Sequence, residues 1–151
     1  MAGGPATTSW SRPVRLFDAN RTRQLLSALP TKAGVYRIRI LDVDEQPMPV
    51  RRLKCDDPEG ILDIGEAGDT KNTNLQWRVE AFQKAVLDGK TSHSAGLKFN
   101  HYRFEHLFRL HTLCVDWIIK ADKKTARAWE EKLLEDHRRK FFDYPPLNCK
   151  A

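Results

Sequence analysis

Two short apolar runs bounded by glycine constrain this chain most. The first, Gly34-Val35-Tyr36-Arg37-Ile38-Arg39-Ile40, puts Tyr36, Ile38 and Ile40 on one side at a period of two. The second, Ile61-Leu62-Asp63-Ile64, stands between Gly60 and Gly65. Both read as strands, and Leu113 to Lys120, with Val115, Trp117 and Ile119 alternating, reads as a third. Between the second and third lies a helical pattern from Asn74 to Leu87, with Leu75, Val79, Phe82 and Val86 on one stripe and Gly89 as its stop. A last helix runs from about Asp122 to Phe141, built of good helix formers and closed by Pro145-Pro146. Strand, strand, helix, strand, helix is the order of a compact α+β domain.

The rest of the chain gives weaker local signals. Residues 1–12 are rich in Gly, Pro, Ser and Thr and read as a loose arm, followed by a short helix over Asp18 to Leu29. Residues 1–30 thus form an N-terminal arm with a short helix, and 31–151 the main domain. The polar 44–60 segment holds Pro47, Pro49 and Pro58 and reads as a long connection or ragged hairpin arm. His93 to Tyr102 reads as irregular and basic. Met1 to Thr8 lacks the apolar stretch of a secretory leader, and no run is long enough to span a membrane, so the expected location is cytoplasmic. Cys55, Cys114 and Cys149 form no Cys-x-x-Cys pair and read as reduced thiols.

Charge points toward a polyanion. Lys and Arg number 26 against 20 Asp and Glu, a formal net charge of +6 that favours phosphate contacts. Arg51, Arg52, Lys54, Lys90 and Lys98 are the candidates for tracking a nucleic-acid backbone. The chain has no phosphate-binding Gly-x-x-x-x-Gly-Lys loop, no nucleophile elbow and no metal spacing among its five histidines. These absences leave no nucleotide cofactor to expect.

Glu130 is the most informative single position. At about 100° per residue it projects among Ala126, Leu133, Leu134, His137 and Phe141, whereas Glu131 and Glu135 fall on the wet side. An inward carboxylate needs a metal ion, an arginine or a hydrogen-bond network. Asp63 breaks a second local rule by interrupting an apolar strand. Tyr36 and Arg78 are ordinary for their elements and gain interest only from company.

That company resembles a known family. Gly34-Val35-Tyr36, then Asp63-Ile64-Gly65-Glu66-Ala67, Leu75-x-x-Arg78, Glu130-x-x-Leu133-Leu134 and Pro145-Pro146-Leu147-Asn148 occur in the order seen in the GIY-YIG nuclease superfamily, across residues 31 to 149. The resemblance implies a three-stranded antiparallel sheet flanked by helices and metal-dependent cleavage of phosphodiester bonds, with DNA favoured over RNA. It also implies roles. Tyr36 would help activate the attacking water, Arg78 would stabilise phosphate charge, and Glu130 would hold one Mg²⁺ or Mn²⁺. His93 would support the site and Asn148 would tie it together. Asp63 stands where the family presents a tyrosine; ionised, it could accept a proton or contact the metal. Two other readings stay open: a catalytically impaired nucleic-acid-binding or interaction module on the same fold, and an unrelated α+β domain in which Glu130 is a structural pair.

Overall fold

The computed structural model describes residues 9–148, so Met1 to Thr8 and Cys149 lie outside the described residues. In chain order the elements are β1 (Val14–Arg15), β2 (Gly34–Ile40), β3 (Val50–Arg51), β4 (Asp56–Asp57), β5 (Ile61–Ala67), α1 (Leu75–Asp88), α2 (Ser94–His101), β6 (Leu113–Ile119) and α3 (Lys123–Phe141). The main sheet is antiparallel, ordered β1-β6-β2-β5, and β3 and β4 form a separate small hairpin.

β2 is the hub of the sheet. It pairs with β5 on one side and β6 on the other, and nearly all of it is buried. Tyr36, Ile38 and Ile40 enter the main core with Leu75, Val79, Phe82 and Val86 of α1 and Phe99 of α2. Burying each of these aliphatic or aromatic side chains contributes about 1.5–3 kcal/mol. On the opposite face Val35 packs with Ile61, Ile64 and Ala126, and Leu133 and Leu134 of α3 cover them. Helices α1 and α3 start on side-chain caps: Asn74 accepts from the Trp77 N–H and Asp122 from the Thr125 N–H.

Several expectations are corrected. The sheet has four strands rather than three, because Val14 and Arg15 pair with Val115 and Cys114. No helix spans Asp18 to Leu29. The Asp18 carboxylate accepts the N–H groups of Asn20 and Thr22, and this local bond competes with helix formation. Phe17 then bridges back to Arg23, while Gln83 donates to the carbonyls of Leu16 and Gln24. Leu26 and Leu29 are buried but Leu25 is exposed, so the three do not share a face. With Leu16 and Phe17 also in the core, the described part of the 1–30 segment belongs to the domain and is no arm. The 93–102 stretch is a helix, not irregular chain. His93 caps α2 through its own ring, and Gly96 lets α2 approach α1 where a Cβ would press on Ala85 and the Phe82 carbonyl. Cys114 is buried and Cys55 exposed, both as free thiols. No described helix is long and apolar enough to cross a membrane.

Arg37 and Arg39, the polar side of β2, share one carboxylate within the sheet. Asp116 on β6 sits opposite Arg37, accepting from its Nε at 2.9 Å and its Nη2 at 2.7 Å, and from Arg39 Nη1 at 2.9 Å. Trp10 lies against the Arg37 guanidinium, 3.8 Å from its ring centre. Removing one partner of such a buried cluster leaves an uncompensated charge. Asp116→Ala is therefore expected to lower stability in urea denaturation by about 3–5 kcal/mol; a loss near zero would mean that water already satisfies the arginines.

Candidate active site

The site is built around β5, an edge strand of the sheet. Opposite Ile38 and Arg39 of β2 stand Asp63 and Ile61, so Leu62 is an extra residue, a bulge. Beyond it Asp63 faces Ile38 and Gly65 faces Tyr36, which puts the carboxylate on the same face as the phenol. Gly65 is required there. A Cβ on it would collide with the Tyr36 ring and hydroxyl. The open edge of β5 is closed by Asn148, whose Oδ1 accepts the Ile64 N–H and whose Nδ2 donates to the Ile64 carbonyl, both at 2.9 Å. An exposed strand edge is thereby capped by one amide.

A cleft of about 320 Å³ runs along this edge. From the α1–α2 side it receives Arg78, His93, Ser94 and Lys98; from α3 it receives Glu130 and Leu134; from the sheet come Tyr36, Asp63 and Glu66. Larger hollows of about 490 and 480 Å³ lie beside Arg21 and Arg109 and beside Arg23 and Gln76, but no buried ionisable side chain lines either.

His93 fixes the phenol. Its Nδ1 accepts the Gly96 N–H, so in the neutral ring the proton sits on Nε2, which donates to the Tyr36 oxygen at 2.8 Å. The Tyr36 O–H is then left to act as a donor of its own. Burial and the nearby Arg78 charge push His93 down to about 3, so the ring is neutral at physiological pH. Phe82 stacks edge-on against it, with centroids 5.4 Å apart.

The three acids of the cleft are poorly compensated. Burial pushes Asp63 up to about 7, against the opposing pull of Arg78, Lys98 and the Asn148 amide. Burial also pushes Glu130 up to about 7, helped by the negative charges of Glu66 and Asp63 and opposed by the Glu66 N–H. Tyr36 is raised above the ordinary phenol range by burial and by Asp63, although Arg78 pulls the other way. Oε2 of Glu66 is buried with no hydrogen-bond partner. Among the described residues no group of three ligating side chains converges. A hard cation that binds one or two carboxylates and keeps most of its waters needs no such group, and it would relieve both the Glu66–Glu130 repulsion and the orphaned oxygen.

The structure thus brings Tyr36, Asp63, Arg78, His93, Lys98, Glu130 and Asn148 into one cleft. Arg51, Lys54 and Lys90 do not line it. Arg52 is not a free backbone contact, because its guanidinium binds Asp143 Oδ2 and the Tyr144 carbonyl. Sequence reasoning missed Glu66. The available signal was its position two residues beyond Ile64, on the apolar side of the strand, the same anomaly that marked Asp63.

No protein-family model, curated protein or solved structure matches this chain. The likeness to GIY-YIG nucleases therefore rests on the ordered residues alone.

Two consequences are measurable. The His93 ring should stay neutral from about pH 8 to about pH 4 in an NMR titration. The unfolded chain takes up this proton near 6.5 and the folded one only near 3, so His93 removes stability as pH falls through that window. A His93 midpoint near 6.5 would contradict the burial. For Glu130 the sign is opposite. Its folded pKa is raised, so ionising it destabilises the metal-free protein as pH rises from the usual carboxylate range through about 7. Glu130→Gln should raise the Tm at pH 8 and leave it unchanged near pH 4. Water screens this half-buried group, so the gain is held to roughly 1 kcal/mol, or about 2–4 °C. An equal Tm shift at both pH values would rule out charge as its cause.

Proposed function

We propose that the protein is a divalent-metal-dependent endonuclease that hydrolyses phosphodiester bonds, with DNA favoured over RNA. The observation that carries this reading is the convergence of Tyr36, Asp63, Arg78 and Glu130, from β2, β5, α1 and α3, on one cleft at the edge of β5. The net charge of +6 adds a long-range attraction for phosphate.

Glu130 and Glu66 are the side chains that would hold Mg²⁺ or Mn²⁺. Bound there, the ion would supply Lewis-acid polarisation of the phosphate and neutralise part of the charge that builds during cleavage. Arg78 and Lys98 place positive charge on the other wall, where it stabilises the negative charge that builds on the phosphoryl oxygens during in-line attack. Asp63 is matched to the task of general base, since its pKa lies near the working pH. It takes the proton of the attacking water as the new P–O bond forms and the bond to the leaving sugar oxygen breaks, and that oxygen takes up a proton from solvent water. Tyr36 is too weak an acid to serve as that base unaided. It acts instead as an oriented donor, held by His93, that positions the water or the phosphate. This assignment differs from the role the resemblance implies for Tyr36, and the Asp63 substitution accounts for the difference.

Plasmid cleavage in Mg²⁺ or Mn²⁺ tests the reading. Wild type should nick or cut, and Glu130→Ala, Arg78→Ala and Tyr36→Phe should each lower the rate by about 10²- to 10³-fold. The rate should rise with pH as Asp63 ionises, with a midpoint below the metal-free value of about 7 because the cation favours the carboxylate, and Asp63→Asn should abolish that limb. No metal-dependent cleavage, with Glu130→Ala indistinguishable from wild type, would refute the proposal. Salt-sensitive DNA binding without turnover would instead favour a binding module on the same fold.

A further inference from the structure

Helix α3 ends in a way that the fold does not require. Its C-cap, Phe142, lies at φ 57 and ψ 26, a left-handed conformation that Gly or Asn adopts readily and a bulky residue only with strain. Burial does not repay that strain, because Phe142 is 61% exposed. Tyr144, two residues on, is also exposed, at 36%. The loop carrying both rings is pinned rather than loose. Arg52 donates to Asp143 Oδ2 at 2.5 Å and to the Tyr144 carbonyl at 2.8 Å. His137 Nδ1 bonds the Asp143 carbonyl at 2.8 Å, and the Lys54 N–H donates to the Phe141 carbonyl at 3.1 Å. Lys54 Nζ stands 4.8 Å from the centre of the Phe142 ring, and Arg51 and Lys140 are exposed on the same two elements. From this loop the chain runs through Pro145 and Pro146 into the cleft wall at Leu147 and Asn148.

We propose that Phe142, with Lys54 against its ring, is a stacking platform for an unpaired base of the nucleic acid whose backbone enters the cleft. A rigidly presented aromatic face beside a cation suits a base and its phosphate at once, and it tolerates any sequence because every base has a π-face. Helix α3 covers about 18 Å from Glu130 to Phe142, the length of roughly five stacked nucleotides. A fully paired duplex offers no free base face at that distance, so the substrate class this selects has a single-stranded stretch next to the scissile bond. The inference rests on the nucleic-acid reading above but not on catalysis.

The test is fluorescence anisotropy with a labelled single-stranded oligonucleotide in EDTA, where no metal-dependent cleavage can occur. Phe142→Asn suits the left-handed turn, so its Tm should equal or exceed that of wild type. Its affinity for the oligonucleotide should fall by about 5- to 100-fold, the range for one base–aromatic stack. Phe142→Tyr should keep the affinity, and an abasic strand of the same length should show no difference between wild type and Phe142→Asn. Equal binding by Phe142→Asn and wild type overturns the proposal, as does an equal loss on the abasic strand. No binding by wild type overturns it too and leaves a protein partner as the occupant. A protein that cleaves DNA but shows no Phe142 effect refutes only this inference. One that shows the effect but never cleaves refutes only the nuclease reading.

Discussion

The contact between the Tyr36 ring and the bare Cα of Gly65 sets the geometry of everything around the cleft. It exists because two strands pair in a register that puts a tyrosine opposite a glycine. The ring then crosses β5 to reach His93, which also caps α2, so the sheet, α2 and the cleft share one hydrogen-bond chain. Any side chain at position 65 would move the phenol, the imidazole and the start of α2 together. The bulge at Leu62 completes the arrangement by turning Asp63 toward the same face.

The molecule treats its buried acids in two contrasting ways. Asp116, on the interior strand β6, is matched by two arginines, with a tryptophan ring against one of them. At the sheet edge Asp63 is opposed only by Arg78, Lys98 and the Asn148 amide, and Glu130 is repelled by Glu66 and Asp63. A fold able to neutralise one acid so fully has left three under-compensated in a cleft. Local destabilisation of that kind is characteristic of sites that bind or react. Phe142 repeats the pattern in the backbone, where strain is retained at an exposed residue.

Much of this was legible in the chain. β2, β6 and α1 carry several residues at a clear period, α3 is rich in helix formers, and Asn74 and Asp122 mark helix starts, so pattern located them; β5 showed only as the apolar run Ile61 to Ile64, and the strand continues past Gly65 to Ala67. Glu130 was legible because a charge on an apolar stripe is an anomaly that projection exposes. Two elements escaped. β1 is only two residues long and owes its existence to pairing with β6, a long-range contact with no local signature. α2 has eight residues and an internal glycine, and it forms because it packs on α1 and is capped by a histidine, a residue that seldom serves as a cap. The helix expected over 18–29 failed for the converse reason: the Asp18 carboxylate closed a turn instead. The partnership of Glu66 with Glu130 depends on how α3 crosses the edge of β5, which no pattern within either segment specifies.

The central claim is that the paired carboxylates of the cleft hold one divalent cation against which a phosphodiester is cut. Anomalous diffraction from Mn²⁺-soaked crystals tests it most directly. The account predicts a single strong peak within coordination distance of Glu130, about 2–2.6 Å from its oxygens, that disappears in Glu130→Gln. Mn²⁺ bound elsewhere, or density beside position 130 that survives the substitution, would contradict it.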